Sequence, residues 1–110
     1  MAKFGGFGGN PMQMQNLMRQ AQKMQQEALE AQAAVDATVV EGSAGGSMVK
    51  VSMLGNKEVQ EIKINPSVVD PEDVSILEDL IVAAINDASK KADEVRAEKL
   101  GRFSNLGGLM

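Results

Sequence analysis

The sequence predicts an α+β fold, an αβββα protomer in which a small antiparallel three-stranded sheet packs against two long helices. Two long segments repeat apolar residues at three- and four-residue steps, which is the periodicity of amphipathic helices. Between them lie short runs rich in valine, isoleucine and threonine, which β-strands favour. Helices at both ends of a run of strands favour one sheet packed on helices.

A chain of 110 residues has room for one domain. We predict a single αβββα domain over residues 10–101, a flexible glycine-rich tail over residues 1–9 and a flexible C-terminal tail over residues 102–110. The amino terminus does not resemble a signal peptide, and no segment approaches the roughly 18 uninterrupted apolar residues of a membrane span. We therefore expect a cytoplasmic protein with no membrane partner.

The first helix is predicted to begin at Pro11. Asn10 is a capping residue, proline suits the first helical position, and Gln13 occupies the capping-box position. Apolar residues then alternate strictly at steps of three and four and form a seam for packing against another helix. The seam residues in this helix are Met14, Leu17, Ala21, Met24, Ala28, Ala31 and Val35.

Three strands should follow. The first is predicted at residues 38–41, a mobile connection (GSAGGS) at 42–47, and the second strand at 48–54 with one apolar face. That face contains Val49, Val51 and Met53. Gly55 and Asn56 predict a tight hairpin turn with the glycine first.

The third strand is predicted at residues 57–64. Its apolar residues change phase within the strand, so we expect a bulge or a twist before Glu61.

The second helix is predicted to begin after Asp70, which can cap, with Pro71 at the first helical position and Gly101 as the stop. At 1.5 Å per residue, such a helix is about 45 Å long. Part of it should therefore extend beyond a compact body. Its apolar stripe continues the predicted seam with Leu77, Ile81 and Ala84.

The apolar stripes predict an obligate, intertwined homodimer. Three short strands cannot cover two long apolar stripes, and an exposed stripe of that size promotes association. Pairing across a two-fold axis would also protect an exposed sheet edge.

The residue inventory argues against an enzyme. The chain contains no histidine and no cysteine, which removes histidine catalysis, thiolate chemistry and the usual transition-metal ligands. The carboxylates Glu78, Asp79 and Asp87 do not have the spacing of a calcium loop, and solvated helix acids are far more common than metal sites. The glycines at 42, 45 and 46 do not follow the order of a phosphate-binding loop. We expect no cofactor, no metal and no small-molecule substrate.

The basic residues are the candidate functional residues. The net charge is −4, yet residues 70–87 hold six acids and no base, whereas residues 88–110 hold five bases and three acids. The simplest interpretation is a solvated face with bases near a helix carboxyl end. If these cations contact DNA, binding should involve phosphates and depend on salt. The candidate DNA contacts are Arg19, Lys23, Lys90, Lys91, Arg96 and Lys99.

Three segments in order resemble the YbaB/EbfC family of bacterial nucleoid-associated proteins. They are LMRQAQKMQQEALEAQ in the first helix, VEGSAGGSMVKVSMLGNKEVQEIKINPS through the strands, and LEDLIVAAINDASKKADE in the second helix. The resemblance implies a tight αβββα homodimer with protruding helices that binds double-stranded DNA in the cytoplasmic nucleoid, with effects on gene expression or DNA repair. By position, it places the family's helix tips at the six basic residues named above.

The primary hypothesis is therefore a dimeric, nucleoid-associated protein whose helix-borne cations bind the phosphates of double-stranded DNA. The alternative hypothesis is a protein-interaction adaptor whose methionine- and alanine-lined seams bind a helix of a partner, because methionine-rich surfaces pack adaptably.

Overall fold

A computed structural model of the protein describes residues 11–108, with side chains described for residues 11–103. The elements are α1 (Pro11–Ala37), β1 (Val39–Ala44), β2 (Val49–Leu54), β3 (Val59–Ile64), a short 3-10 helix (Pro66–Val68) and α2 (Ser75–Gly108). The predicted αβββα order is confirmed. The residues form two compact units, of which the first ends at Glu30 and the second begins at Ala31.

The sheet has the strand order β1-β2-β3, and both neighbouring pairs are antiparallel. Ser52 of β2 pairs with Glu61 of β3. The next residue of β2 pairs with Val59, so Gln60 is an extra residue in β3. An extra residue in one strand is a β-bulge, and the predicted bulge before Glu61 is confirmed.

The core lies between α2 and one face of β1 and β2. Three residues of β2, predicted to share a face, are buried there together with three alanines of α2. The cluster consists of Val49, Val51, Met53, Ala84, Ala88 and Ala92. Ile62 and Ile64 pair with Val51 and Val49 and share their side of the sheet, but they remain 40% and 37% exposed. The helix therefore covers β1 and β2 and leaves β3 at the margin.

The predicted connection at residues 42–47 is shorter in the structure, because β1 continues to Ala44. Glycine has a low β propensity, but Gly42 lies within β1 at the point where α2 crosses the strand. A Cβ at Gly42 would lie 2.3 Å from the backbone nitrogen of Ala88 and 2.4 Å from the carbonyl oxygen of Ala84. The glycine therefore allows the helix backbone to lie directly on the strand.

The β2–β3 turn has its positive φ at Lys57 and not at Gly55. The carbonyl of Leu54 accepts a hydrogen bond from the N–H of Lys57 at 2.8 Å. The N–H of Leu54 donates to the carbonyl of Glu58 at 2.8 Å. Lys57 has a φ of 74°. This is the pattern of a three-residue hairpin loop that ends in a left-handed residue. The turn lies where it was predicted, but its loop has three residues and its left-handed position comes two residues later than the glycine. The predicted start of the third strand at residue 57 is also wrong, because β3 begins at Val59.

Gly55 serves close packing against the end of α1. A Cβ at this position would lie 1.9 Å from the carbonyl oxygen of Val35. The N–H of Gly55 donates to the carbonyl of Thr38 at 2.8 Å. Val35 is fully buried, so this glycine joins the hairpin to the last turn of α1.

The prediction that Asp70 caps the second helix is wrong, because α2 begins at Ser75. The carboxylate of Asp70 accepts a hydrogen bond from the N–H of Glu72 at 3.0 Å, and its carbonyl accepts one from the N–H of Asp73 at 3.0 Å. Asp73 then accepts from the N–H and the hydroxyl of Ser75. These side-chain hydrogen bonds stabilise local turns in place of a helical turn.

The prediction that Gly101 ends the second helix is also wrong, because α2 continues to Gly108. A glycine inside a helix costs about 1 kcal/mol relative to alanine, which lowers helix stability without ending the helix. Beyond it, the guanidinium of Arg102 lies 4.5 Å from the ring centroid of Phe103. Residues 102–108 of the predicted C-terminal tail are therefore helical. The predicted tail at residues 1–9 lies outside the described residues.

Candidate nucleic-acid interface

The basic residues of α2 lie inside the helix rather than at its carboxyl end. The last turn of α2 contains no basic residue. Arg102, the last base in the sequence, precedes Gly108 by six residues. Because the influence of the helix dipole falls off within the last turn, the dipole does not account for these cations. The basic residues of α2 are therefore explained either by ion pairs at the surface or by binding of an anionic ligand.

Lys91 is bound to the edge of the sheet. Its Nζ donates to the carbonyl oxygen of Glu41 at 2.8 Å and lies 3.5 Å from the carboxylate of Asp87. Asp87 accepts a hydrogen bond from the N–H of Ser43 at 3.0 Å. Both backbone groups belong to β1, an edge strand whose outer polar groups need partners. The structure thus gives Lys91, a predicted DNA contact, a role in protecting this edge.

The same contacts determine the ionisation of Asp87. The hydrogen bond from the backbone of Ser43 is the largest influence and lowers the pKa of Asp87 below its ordinary value of 3.8. Desolvation opposes this shift, and the charges of Lys91 and Lys90 add to it. Asp87 is therefore an ionised hydrogen-bond acceptor at neutral pH.

The other three predicted DNA contacts on α2 do not all lie on one side of the helix. Arg96 and Lys99 are exposed and lie three residues apart, so they share a side. Lys90 is also exposed but precedes Lys99 by nine residues, which is about 2.5 helical turns and points to the opposite side. The structure therefore brings Arg96 and Lys99 together and separates Lys90 from them.

Arg19 and Lys23 lie on α1 within the first compact unit. Both side chains are exposed, and their four-residue spacing places them on one side of the helix. They form a second pair of exposed cations.

The predicted seam residues differ in burial between the two helices. On α1, Met14, Leu17, Ala21 and Met24 are exposed, Ala28 and Ala31 are half-buried, and Val35 is buried. On α2, Ala84 is buried and Leu77 and Ile81 pack against the core cluster. The α2 stripe therefore covers the sheet of its own chain, whereas the α1 stripe presents apolar side chains at the surface from Met14 to Met24.

One basic residue near Arg96 was missed by the sequence analysis. Lys57, in the β2–β3 turn, has its Nζ 2.8 Å from the carboxylate of Asp93 on α2. A cleft of about 350 Å³ lies beside this ion pair and is lined by Gly55, Asn56, Lys57, Asp93 and Arg96. No pattern in the sequence joins Lys57 to α2, because the hairpin fold creates this proximity.

Along residues 11–108, neither long helix combines the length and the apolar character that a membrane span needs. Glu78, Asp79 and Asp87 do not form a ligand cluster, and among the described residues no group of three acids is placed to hold a metal ion.

Several bacterial proteins resemble this chain along most of its length. A nucleoid-associated protein of Ruminiclostridium cellulolyticum is 47% identical over 106 residues, covering 96% of this chain and 90% of that protein. A nucleoid-associated protein of Nocardia farcinica is 48% identical over 101 residues, covering 92% of each. The crystal structure of an uncharacterized protein from Helicobacter pylori has the same fold, with a TM-score of 0.65, 24% identity, and coverage of 86% of this chain and 96% of that one. The model of the YbaB/EbfC DNA-binding family matches residues 9–109, and the chain therefore belongs to this family.

Proposed function

We propose that the protein is a nucleoid-associated protein that binds double-stranded DNA as a homodimer, through contacts between phosphates and helix-borne lysine and arginine. The family match and the relatives named as nucleoid-associated proteins support the proposal. On this proposal the protein acts in the cytoplasmic nucleoid, where its binding influences gene expression or DNA repair. It needs no catalytic group and no cofactor.

The observation that carries the proposal is the exposed pair Arg96 and Lys99 in the interior of α2. The helix dipole does not account for the position of these two cations. Lys91 is bonded to the sheet, whereas no such bond among the described residues accounts for Arg96 and Lys99. Arg19 and Lys23 supply a similar pair on α1. Phosphate contacts of this kind give affinity that falls with salt and depends weakly on sequence.

The proposed second copy is supported by apolar surface on β3 and α1. Ile62 and Ile64 lie on the core side of the sheet, yet they remain 40% and 37% exposed. On α1, Leu17 and Met24 are exposed on the predicted seam. Apolar surface of this extent is typical of an interface rather than of a solvated face. A dimer would also place two sets of cations on one duplex and raise the affinity through avidity.

A salt titration of DNA binding tests the proposal. Fluorescence anisotropy with a labelled duplex should give binding for the wild-type protein at low salt and a linear fall of log affinity with log salt. The double variant R96E/K99E should lose most of this affinity while retaining the dimer in sedimentation velocity. K50E is the matched control, because Lys50 is exposed on the face of β2 opposite the core. A wild-type protein that does not change the anisotropy of any duplex at low salt would contradict the proposal.

The exposed methionines of α1 favour a second candidate, an adaptor that binds a partner helix. Met12, Met14 and Met18 are exposed together with Met24. An adaptor should lose its partner when the seam is changed by M24E and should tolerate R96E/K99E. A DNA-binding protein should instead lose its affinity for the duplex in R96E/K99E.

A further inference from the structure

The cleft between the β2–β3 turn and α2 places two cations of distant sequence on one surface. Lys57 comes from the turn and Arg96 from the helix, and both line the cavity of about 350 Å³. A second cavity of about 310 Å³ adjoins it and is lined by Asp93, Arg96, Ala97, Leu100 and Gly101. Because Asp93 and Arg96 line both cavities, the depression continues along one side of α2.

The backbone at Lys57 is in a conformation that favours another residue type. Its φ of 74° is in the left-handed region, which glycine and asparagine adopt more easily than lysine. Such strained positions are concentrated at functional sites, where the side chain is needed. The turn geometry alone therefore does not explain a lysine here.

The ion pair between Lys57 and Asp93 is exchangeable. The side chains of the two residues are 49% and 59% exposed, and ion pairs this accessible to water contribute little to stability. A phosphate oxygen could replace the carboxylate of Asp93 as the partner of Lys57 without loss of a buried contact. Asp93 and Arg96 are three residues apart on one side of α2, so the same anion would also approach the guanidinium.

We propose that Lys57 and Arg96 form a binding site for a DNA backbone phosphate, in which the phosphate displaces Asp93 from Lys57. This inference rests on the proposed DNA binding and adds a contact that lies outside the two helices. Arginine suits such a site because its guanidinium donates two parallel hydrogen bonds to phosphate oxygens. Asp93 holds the lysine side chain beside the cleft in the free protein and competes with the duplex.

The test is a salt titration of duplex binding by the full-length K57Q protein. Loss of one phosphate contact should reduce the slope of log affinity against log salt by about 0.9. K57R keeps the cation and should retain the wild-type slope. D93N removes the competing carboxylate and should bind the duplex more tightly than the wild-type protein. Thermal melting verifies that each variant is folded.

K63Q is the matched control. Lys63 also lies near a carboxylate, 3.3 Å from Glu61, but it alternates with the core-side residues of β3 and faces away from α2. A K63Q protein with the wild-type slope supports the site. Equal slopes for K57Q and K63Q, a K57Q protein that binds like the wild type, or a D93N protein that binds no more tightly would each overturn it. Failure of the wild-type protein to bind any duplex would instead overturn the proposed function.

Discussion

At Gly42 the backbone of α2 occupies the space in which any other residue would place a Cβ. The atoms that a Cβ would meet are backbone atoms of Ala84 and Ala88, which cannot rotate away as a side chain can. The close approach of helix and strand therefore depends on one missing methyl group.

We expect the Gly42→Ala variant to lose about 3 kcal/mol of unfolding free energy, because overpacking here must move the helix. Urea unfolding followed by circular dichroism measures the change. Gly46→Ala is the control, since a Cβ at Gly46 meets nothing within 4 Å and only its φ of 65° is unfavourable. A Gly42→Ala loss no larger than that of the control would contradict the proposed packing.

Acid stability should depend on Asp87. Its folded-state pKa lies below 3.8 because the Ser43 backbone binds the carboxylate, so the unfolded chain takes up protons first as the pH falls. The stability that Asp87 contributes is therefore complete above the ordinary carboxyl pKa and is lost as the pH falls through the folded-state value.

The D87N variant should be less stable at neutral pH and should lose less stability below pH about 4 than the wild type. Urea midpoints measured across this range give the comparison. D79N, an exposed acid of the same helix, is the control. Asp73, whose pKa is also lowered, mainly by the hydroxyl of Ser75, leaves a residual pH dependence in both variants. Identical pH dependence in D87N and wild type would refute the role of Asp87.

Among the helices and strands, the predictions from sequence were most accurate where the apolar periodicity and the packing agree. The buried face of β2 and the bulge in β3 follow from alternation alone. The ends of α2 were mispredicted because side-chain hydrogen bonds at Asp70 and Asp73 replace the expected cap, and because a glycine permits a helix to continue. Capping and stop residues therefore predict a helix end correctly only when no competing side-chain hydrogen bond forms nearby.

The candidate site could be predicted only in part, because several of its contacts join distant parts of the chain. Helical spacing identifies the pair Arg96 and Lys99 directly. The bond between Lys91 and Glu41 and the ion pair between Lys57 and Asp93 depend on how the sheet packs on α2. Such contacts join residues more than thirty positions apart and leave no periodic signal in the sequence.

Gly101→Ala should stabilise α2. The substitution adds a side chain where a Cβ meets nothing within 4 Å and reduces the backbone entropy of the unfolded chain. The expected gain is about 0.5–1 kcal/mol, measured as a higher urea midpoint. A loss of helicity in Gly101→Ala would show that the helix does not continue through this position.

Lys91 should matter for stability rather than for DNA. We expect K91Q to lose about 0.5–1 kcal/mol of unfolding free energy, since one charged hydrogen bond at a partly exposed site is removed. Its salt slope for duplex binding should equal that of the wild type. K90Q is the control for stability, because Lys90 is the exposed neighbour on the same helix. A reduced slope in K91Q would restore Lys91 to the proposed DNA contacts.

In the molecule as a whole, charge is unevenly distributed along α2. The acids Glu78, Asp79 and Asp87 precede residues 90–102, which hold five bases and three acids. A polyanion is repelled by the first group and attracted by the net positive second group. On the proposed function, this distribution would let a chain with a net charge of −4 bind phosphates.

The proposed homodimer predicts that I62D weakens self-association. The substitution places a charge on the uncovered apolar part of β3, so sedimentation velocity should show dissociation at micromolar concentration. DNA affinity should fall at least about tenfold, because avidity is lost. K63D, on the other face of the same strand, is the control and should remain a dimer. A wild-type protein that is monomeric throughout this range would exclude the proposed assembly.

The two edges of the sheet differ in their chemistry. In β1 the outward carbonyl of Glu41 and the outward N–H of Ser43 are bonded to Lys91 and Asp87, whereas β3 forms the opposite edge and all six of its residues are exposed. If two chains joined along β3, the enlarged sheet would have a β1 strand at each end, with these two backbone groups already bonded. A further strand would have to break both contacts, which disfavours growth into fibres.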